Sequence, residues 1–456
     1  MIKYSFLLIA ILFVSFNYAQ KNVNSIKTID NFLTEEYPKK EPGAVVLIAK
    51  KGEIIYEKAF GLSSIKPKRK LKTAMVFQLA SMSKQFVSAA ILQLVEEGKM
   101  ALTDSIQKYV PYYPSKKYTI TIHHLLAQTS GIPNYFDVDD NEFFLLAQEH
   151  TPEKLINYYK DEQLLFEPGT KWAYSNSNYP LLGAALEKVT HLSLKIYLRI
   201  NIFEPLQMNS TGLWYTKNTK KKKIVTGYNS KKGVLFPAPK MVGSALYAPG
   251  GIVSTAKDLF LWNEALKNKK IISKYVVEQL TTEKKTTDGK GTGYGYGFFL
   301  RNVQGSKTIQ HGGNLFGFTT NGMYLPKEDI YICILSNTKF DRTDEISNYI
   351  ASILIEKPLK IFTKKEVSSE KLKEYVGIYK LQGDVERVFE IKLFDNQLIL
   401  SDTKNPEGDA VLTPSKKDEF LLKAISVSFK FFRDTDGRIS GYTAKQDKIY
   451  TFKKVK

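Results

Sequence analysis

Apolar positions along this chain repeat first every second residue, then every third or fourth, then every second again. Ala44-Val45-Val46-Leu47-Ile48-Ala49 and Glu53-Ile54-Ile55-Tyr56-Glu57-Lys58-Ala59 are strand-like runs on either side of Lys51-Gly52, which predicts a hairpin. From about Ser81 to Glu97 the period becomes helical. Val87, Ile91, Leu94 and Val95 fall at i, i+4, i+7 and i+8, which predicts a strongly amphipathic helix stopped by Gly98. A long helical and loop-rich region follows, to about residue 290. It includes Thr121 to Thr129, Pro152 to Tyr159, Leu181 to Leu198 and Ala256 to Leu266. Lys307 to His311, Gly317 to Leu325 and Ile330 to Ser336 then read as strands, and Ile346 to Ile355 as a closing helix. Strands, many helices, strands and a helix describe an α+β fold. An antiparallel sheet, assembled from both ends of the segment, is flanked by helices with an all-helical part beside it.

The pattern changes again near Lys357-Pro358. Phe389 to Phe394 and Gln397 to Leu400 flank Asp395-Asn396, and Val427 to Phe432 and Arg438 to Thr443 flank Asp434-Thr435-Asp436-Gly437. These are hairpins with suitable turn residues. They predict a second, all-β, barrel-like domain at 365–456, after a first domain at 23–357. Asp434-x-Asp436-Gly437 has a faint likeness to a calcium loop, but the remaining ligand positions are missing and a plain turn is expected.

The N-terminus stands apart from both domains. Lys3 precedes an apolar run from Phe6 to Phe16, and Asn17-Tyr18-Ala19 ends on a small residue. The run is short for a membrane span and reads as a secretory signal peptide, residues 1–19. Export to the periplasm or the medium is therefore expected. Membrane association would follow only if the segment stayed uncleaved. The single cysteine, Cys333, lies inside an apolar strand and excludes an intramolecular disulfide; it reads as a small buried hydrophobe. The formal charge of +20 peaks at Lys220-Lys221-Lys222-Lys223. Without interleaved aromatics or a recognition module, this argues for a solvated surface and against a nucleic-acid partner.

Candidate chemistry begins at the start of the first helix. Ser81-Met82-Ser83-Lys84 places an amine one helical turn from a hydroxyl. Serine needs such a base to act as a nucleophile, and a helix N-terminus favours an alkoxide. The motif alone means little, since Ser-x-x-Lys recurs at Ser63, Ser105, Ser254, Ser336, Ser368 and Ser401. Two other motifs single out Ser81. Tyr174-Ser175-Asn176, on a loop after Pro168-Gly169, is the only Tyr-x-Asn among 27 tyrosines. There a phenol could move a proton, helped toward phenolate by a nearby cation, and Asn176 could bond Lys84 or a substrate amide. His311-Gly312-Gly313-Asn314 holds the only histidine followed by two glycines. Glycines such as Gly313, beside a strand end, admit close approach of another backbone. An extended substrate could pair with that edge, and the N–H groups of Ser81 and Asn314 could form an oxyanion hole. No His-Glu-x-x-His, paired cysteines, phosphate loop or Gly-x-Ser-x-Gly elbow is present, and His123-His124 lacks metal-ligand spacing.

In this order, Ser81-x-x-Lys84, Tyr174-x-Asn176 and His311-Gly312-Gly313 resemble the motifs of the serine β-lactamases and penicillin-recognising hydrolases. The nearest likeness is to the class C β-lactamase, D-aminopeptidase and D,D-carboxypeptidase branch. SMSKQFVSAAILQLVEEGKMALTDSIQKYVP, ITIHHLLAQTSGIPNY, FEPGTKWAYSNSNYPLLG and GGIVSTAKDLFLW resemble family blocks over about residues 25–355. The last segment is similar to a small β-barrel appended to many such proteins. The resemblance implies an acyl-Ser81 intermediate, proton transfer by Lys84 and Tyr174, no metal or organic cofactor, and a small-molecule or peptide substrate of the cell envelope.

The chain also departs from the family pattern. Classical β-lactamases carry Lys-Thr-Gly where this chain has His311-Gly312-Gly313, and a neutral histidine would hold a substrate carboxylate less well. The family's Ser-Asp-Asn is not evident. Gln128 stands where the family often has histidine, and a structural role is expected for it. The resemblance thus implies an amide or ester hydrolase of the D-amino-acid peptidase, amidase or esterase kind. A true β-lactamase and a non-catalytic envelope-binding protein on the same scaffold are the alternatives.

Overall fold

The computed structural model describes residues 24–137, 148–214, 224–231, 234–239, 243–269, 271–339, 341–359, 367–383, 387–394, 396–403, 410–422, 427–445 and 449–456. The expected signal peptide and the Lys220–Lys223 run lie outside these residues.

The hairpin from the early strand runs is β1 (Ala44–Lys50) with β2 (Glu53–Ala59), and the later runs supply β3 (Phe299–Val303), β4 (Ser306–Leu315), β5 (Phe318–Leu325) and β6 (Ile330–Ser336). They form one antiparallel sheet in the order β3-β4-β5-β6-β1-β2, so β1 pairs with β6 and joins the two ends of the segment. The continuous apolar runs of β1 and β6 follow from burial of both faces. Val45, Leu47, Cys333 and Leu335 enter the core beneath the helical part, while Val46, Ile48, Ile332 and Ile334 pack on a helix over 24–36 and on Thr343–Leu354. Cys333 is fully buried, and burial pushes its thiol up to about 12, so it stays protonated among hydrophobes.

Three expectations are corrected. The helix after Ser81 is α1 (Ser83–Glu96), preceded by a single 3-10 turn over Ala80–Met82; it is buried nearly all round rather than amphipathic, because it runs through the middle of the larger core. The run Leu181 to Leu198 is two helices, α2 (Asn178–Thr190) and α3 (Leu194–Leu198), separated where His191 turns left-handed (φ 57°) and Ser193 caps the next helix. His311-Gly312-Gly313 does not end a strand. β4 passes through it to Leu315, and the turn falls at Phe316-Gly317.

Beyond the sheet domain, eight sequential strands close into an antiparallel barrel: β7 (Gly377–Leu381), β8 (Val388–Phe394), β9 (Gln397–Asp402), β10 (Ala410–Lys416), β11 (Glu419–Leu422), β12 (Val427–Arg433), β13 (Ile439–Lys445) and β14 (Ile449–Lys454). At Asp434 the carboxylate accepts the N–H groups of Asp436 (3.0 Å) and Arg438 (2.9 Å), an ordinary turn.

Candidate active site

Ser81 sits on the 3-10 turn, held against β4 by an unusually close backbone approach. A Cβ on Gly313 would lie 2.1 Å from the Leu79 carbonyl and 2.6 Å from Thr320 Oγ1. Only glycine fits. Thr320 Oγ1 also donates to the Leu79 carbonyl (2.9 Å), and Ala80 is held left-handed at φ 49°. Such a conformation costs an alanine about 1–2 kcal/mol and persists because its surroundings over-determine it.

Lys84, in the first turn of α1, is fully buried. Its Nζ lies 3.1 Å from Ser81 Oγ, 2.8 Å from Asn176 Oδ1 and 2.9 Å from the Pro249 carbonyl. Burial alone drives its pKa well below the usual lysine value. Two of the three partners can only accept. A neutral amine has two N–H donors, which these two acceptors consume, and its lone pair is left facing the Ser81 hydroxyl.

The orientation of Asn176 follows from an obligate donor. Its backbone N–H donates to Asn134 Oδ1 (3.2 Å), which fixes that oxygen's direction; the same oxygen accepts Asn176 Nδ2 (3.1 Å), so Asn176 Oδ1 must face Lys84. Gln128, left-handed at φ 60°, clamps the same loop. Its carbonyl accepts the Ala173 N–H (3.0 Å) and its Oε1 the Ser175 N–H (2.9 Å), one residue on either side of Tyr174. Neither Asn134 nor Gln128 belongs to a catalytic motif, so motif reading misses the first and sees only a structural role for the second. The Pro249 carbonyl is a main-chain group with no sequence signal at all. It is presented to Lys84 by the sharp kink at Tyr247 (φ 29°, ψ −130°).

The Tyr174 ring stacks on Phe299 (centroids 6.3 Å apart, 15° between planes). Lys84 Nζ is 5.0 Å from the Tyr174 ring centroid and 5.2 Å from that of Tyr179. Burial raises the Tyr174 phenol well above its ordinary range, opposed by the nearby Ser81 hydroxyl, although the two oxygens do not form a hydrogen bond of standard geometry. The phenol is therefore neutral at rest, which corrects the expected help toward phenolate: desolvation outweighs any neighbouring cation.

His311 is buried on the same side of β4. Its ring Nδ1 lies 2.6 Å from the Gly312 carbonyl, an acceptor, so that nitrogen carries the proton and Nε2 is left to accept from the Tyr294 hydroxyl at 3.3 Å. Desolvation is the largest cause that lowers its pKa to about 3, so the ring is neutral.

Strand parity decides what β4 offers at its edge. Val303 and Ser306 flank the two-residue turn Gln304-Gly305, both at positive φ (50° and 89°). Residues flanking such a turn exchange hydrogen bonds, so Ser306, Thr308 and Gln310 direct their N–H and C=O toward β3. β3 ends at Phe299, opposite Gln310. The next residues of that parity, Gly312 and Asn314, therefore present backbone groups at an edge β3 no longer covers. This edge borders a cleft of about 440 Å³ shared by Ser81, Tyr174, His311 and Asn314. The structure thus brings together every residue singled out from the sequence, with Asn176 one layer beneath, on Lys84.

The same architecture occurs in known proteins. A penicillin-binding protein of Bacillus subtilis (strain 168) is 29% identical over 412 residues, 85% of this chain and 89% of that protein. The octameric penicillin-binding protein homologue from Pyrococcus abyssi matches with a TM-score of 0.68 at 26% identity, over 94% of this chain and 100% of that one. The D-amino acid amidase from Ochrobactrum anthropi SV3 shares the fold, with a TM-score of 0.64 at 19% identity over 73% of this chain and 99% of that one. The family model described as Beta-lactamase matches residues 31–355, well over half of the 456 residues, and the chain belongs to that family of serine hydrolases.

Proposed function

We propose that this chain is an exported hydrolase of amides or esters that works through an acyl-Ser81 intermediate. The observation that carries this reading is the placement of Lys84: a fully buried amine, its pKa driven down by desolvation, lies 3.1 Å from Ser81 Oγ and is held there by two obligate acceptors. Lys84 takes the Ser81 proton while Oγ forms a bond to the substrate carbonyl carbon. The carbonyl oxygen becomes an oxyanion between the N–H groups of Ser81 and Asn314, an arrangement in which each donor contributes about 3 kcal/mol. The Tyr174 phenol gives its proton to the leaving amine or alkoxide as the carbon–heteroatom bond breaks, and the Lys84 ammonium restores it. Meanwhile that ammonium is stabilised by the Asn176 and Pro249 oxygens and by the Tyr174 and Tyr179 ring faces. Water then repeats the sequence on the acyl-enzyme. The penicillin-binding name of the Bacillus relative supports an acylable serine.

The substrate reading rests on His311. A neutral imidazole, tied up by Gly312 and Tyr294, gives no cation for a carboxylate at the place where β-lactamases carry lysine. This favours D-amino-acid amides, peptides or esters over β-lactams, acting on the cell envelope in the periplasm or medium.

Two experiments test the proposal. Ser81→Ala should lose fluorophosphonate labelling and the burst with a chromogenic ester while keeping its melting temperature; retained wild-type labelling would overturn the nucleophile. Side-by-side turnover of D-alanine p-nitroanilide, p-nitrophenyl butyrate and nitrocefin should leave nitrocefin poorest. Nitrocefin turnover far above the others would overturn the His311 argument.

A further inference from the structure

The barrel is filled at one end and hollow at the other. Where β8, β10, β12 and β14 finish, Tyr375 packs edge-on against Phe420 (4.7 Å) and Phe431 (5.0 Å), and Tyr375 Oη donates to Asp418, which Arg433 also bonds. At the opposite end lies a cavity of about 410 Å³. Its walls are inward-facing positions of successive strands, among them Leu400, Phe429, Tyr442 and Phe452. Ala410 and Ala444 occupy inward positions in the layer nearest the mouth, and their small side chains leave the space open. An eight-stranded barrel is just wide enough either to be filled by side chains or to hold one small ligand. The aromatic plug does the first at one end, and the two alanines allow the second at the other.

Among the described residues, the cavity lining holds one cation, Arg387. Arg387 lines the cavity at the start of β8, two positions before the inward-facing Phe389, and is exposed. Among the described residues its guanidinium makes no ion pair and only lies 5.8 Å from the Phe389 ring centroid. Asp402, also at the mouth, is already engaged.

We infer that the barrel binds one molecule of a lipophilic monoanion, an aliphatic or aromatic body with a carboxylate head. The body fills the space inside Ala410 and Ala444, and the head meets Arg387 in a charge-assisted pair. The site shares no lining residue with the hydrolase cleft.

Titration of the full-length chain with the fluorescent acid cis-parinaric acid tests this. Saturable binding of one equivalent is expected. Ala444→Phe and Ala410→Trp, which fill the cavity, should abolish it. Arg387→Gln should weaken it about tenfold and leave the affinity for neutral N-phenyl-1-naphthylamine unchanged. Ser81→Ala should bind like the wild type. Lack of saturable binding, binding that survives both filled variants, an equal affinity in Arg387→Gln, or loss in Ser81→Ala would each overturn the inference. Arg387 is exposed, so its variant tests the site without disturbing the barrel core.

Discussion

Asn134→Asp is the sharpest probe of Lys84 as a base. An aspartate keeps both hydrogen bonds that Asn134 Oδ1 accepts, so Asn176 stays oriented. What it adds is a negative charge. The Asn176 amide bridges position 134 to Lys84 with legs of 3.1 and 2.8 Å. The charge would thus sit roughly 7 Å from Nζ, and at an effective dielectric of about 20 this is worth about 2.4 kcal/mol, or about 1.7 pKa units. The sign is definite: a nearby anion favours the ammonium, raises the Lys84 pKa and leaves less free amine at a given pH. The acid limb of kcat/KM, measured with whichever ester or amide the enzyme turns over, should move upward by between about one and two pH units, with the alkaline plateau largely kept. Asn134→Ala separates charge from damage. It frees the Asn176 amide to rotate and should lower kcat about tenfold without an upward shift. An Asn134→Asp profile whose acid limb stays in place, or moves down, would refute the assignment of Lys84.

Gly313→Ala should lower kcat by at least about 100-fold in a folded protein, because its Cβ would push the Leu79–Ser81 turn away from β4; near-wild-type turnover with unchanged circular dichroism would contradict the close-approach argument. Arg342 is buried and bonds both Glu36 oxygens at 3.0 and 2.6 Å, tying Thr343–Leu354 to the helix over 24–36. Arg342→Met should therefore cost about 3–5 kcal/mol in urea unfolding, and adding Glu36→Gln should recover part of it. For His311, the unfolded chain takes up a proton below about pH 6.5, whereas the folded ring does so only near 3. Stability should therefore fall as pH drops through that window, and His311→Asn should lose less between pH 7 and 4 than the wild type in thermal melts at each pH.

Much of the architecture was legible because burial leaves a local imprint. β1 and β6 read as continuous apolar runs since both faces are covered, and their edges match to within a residue or two. β3 escaped notice because an edge strand with exposed Arg301 and Asn302 carries no such imprint. Helix periodicity likewise overstated the amphipathicity of α1, since Ser83, Lys84, Gln85 and Ser88 look solvent-facing in sequence yet are buried by function and by contacts with Trp262 and Tyr179.

The sequence by itself determined the candidate reacting groups: a hydroxyl and an amine one turn apart, one Tyr-x-Asn, one His-Gly-Gly, and hence a family and a candidate chemistry. Their order along the chain and their spacing survive into the structure because each motif is local. The tertiary structure alone decided their electrical states. Lys84 is left a neutral amine by the packing around it and is oriented by a carbonyl 165 residues away. Tyr174 is made a neutral donor by desolvation, and His311 is locked in one tautomer by Gly312 and Tyr294. Protonation depends on water excluded and acceptors brought near by distant segments, and no local pattern of residues records either.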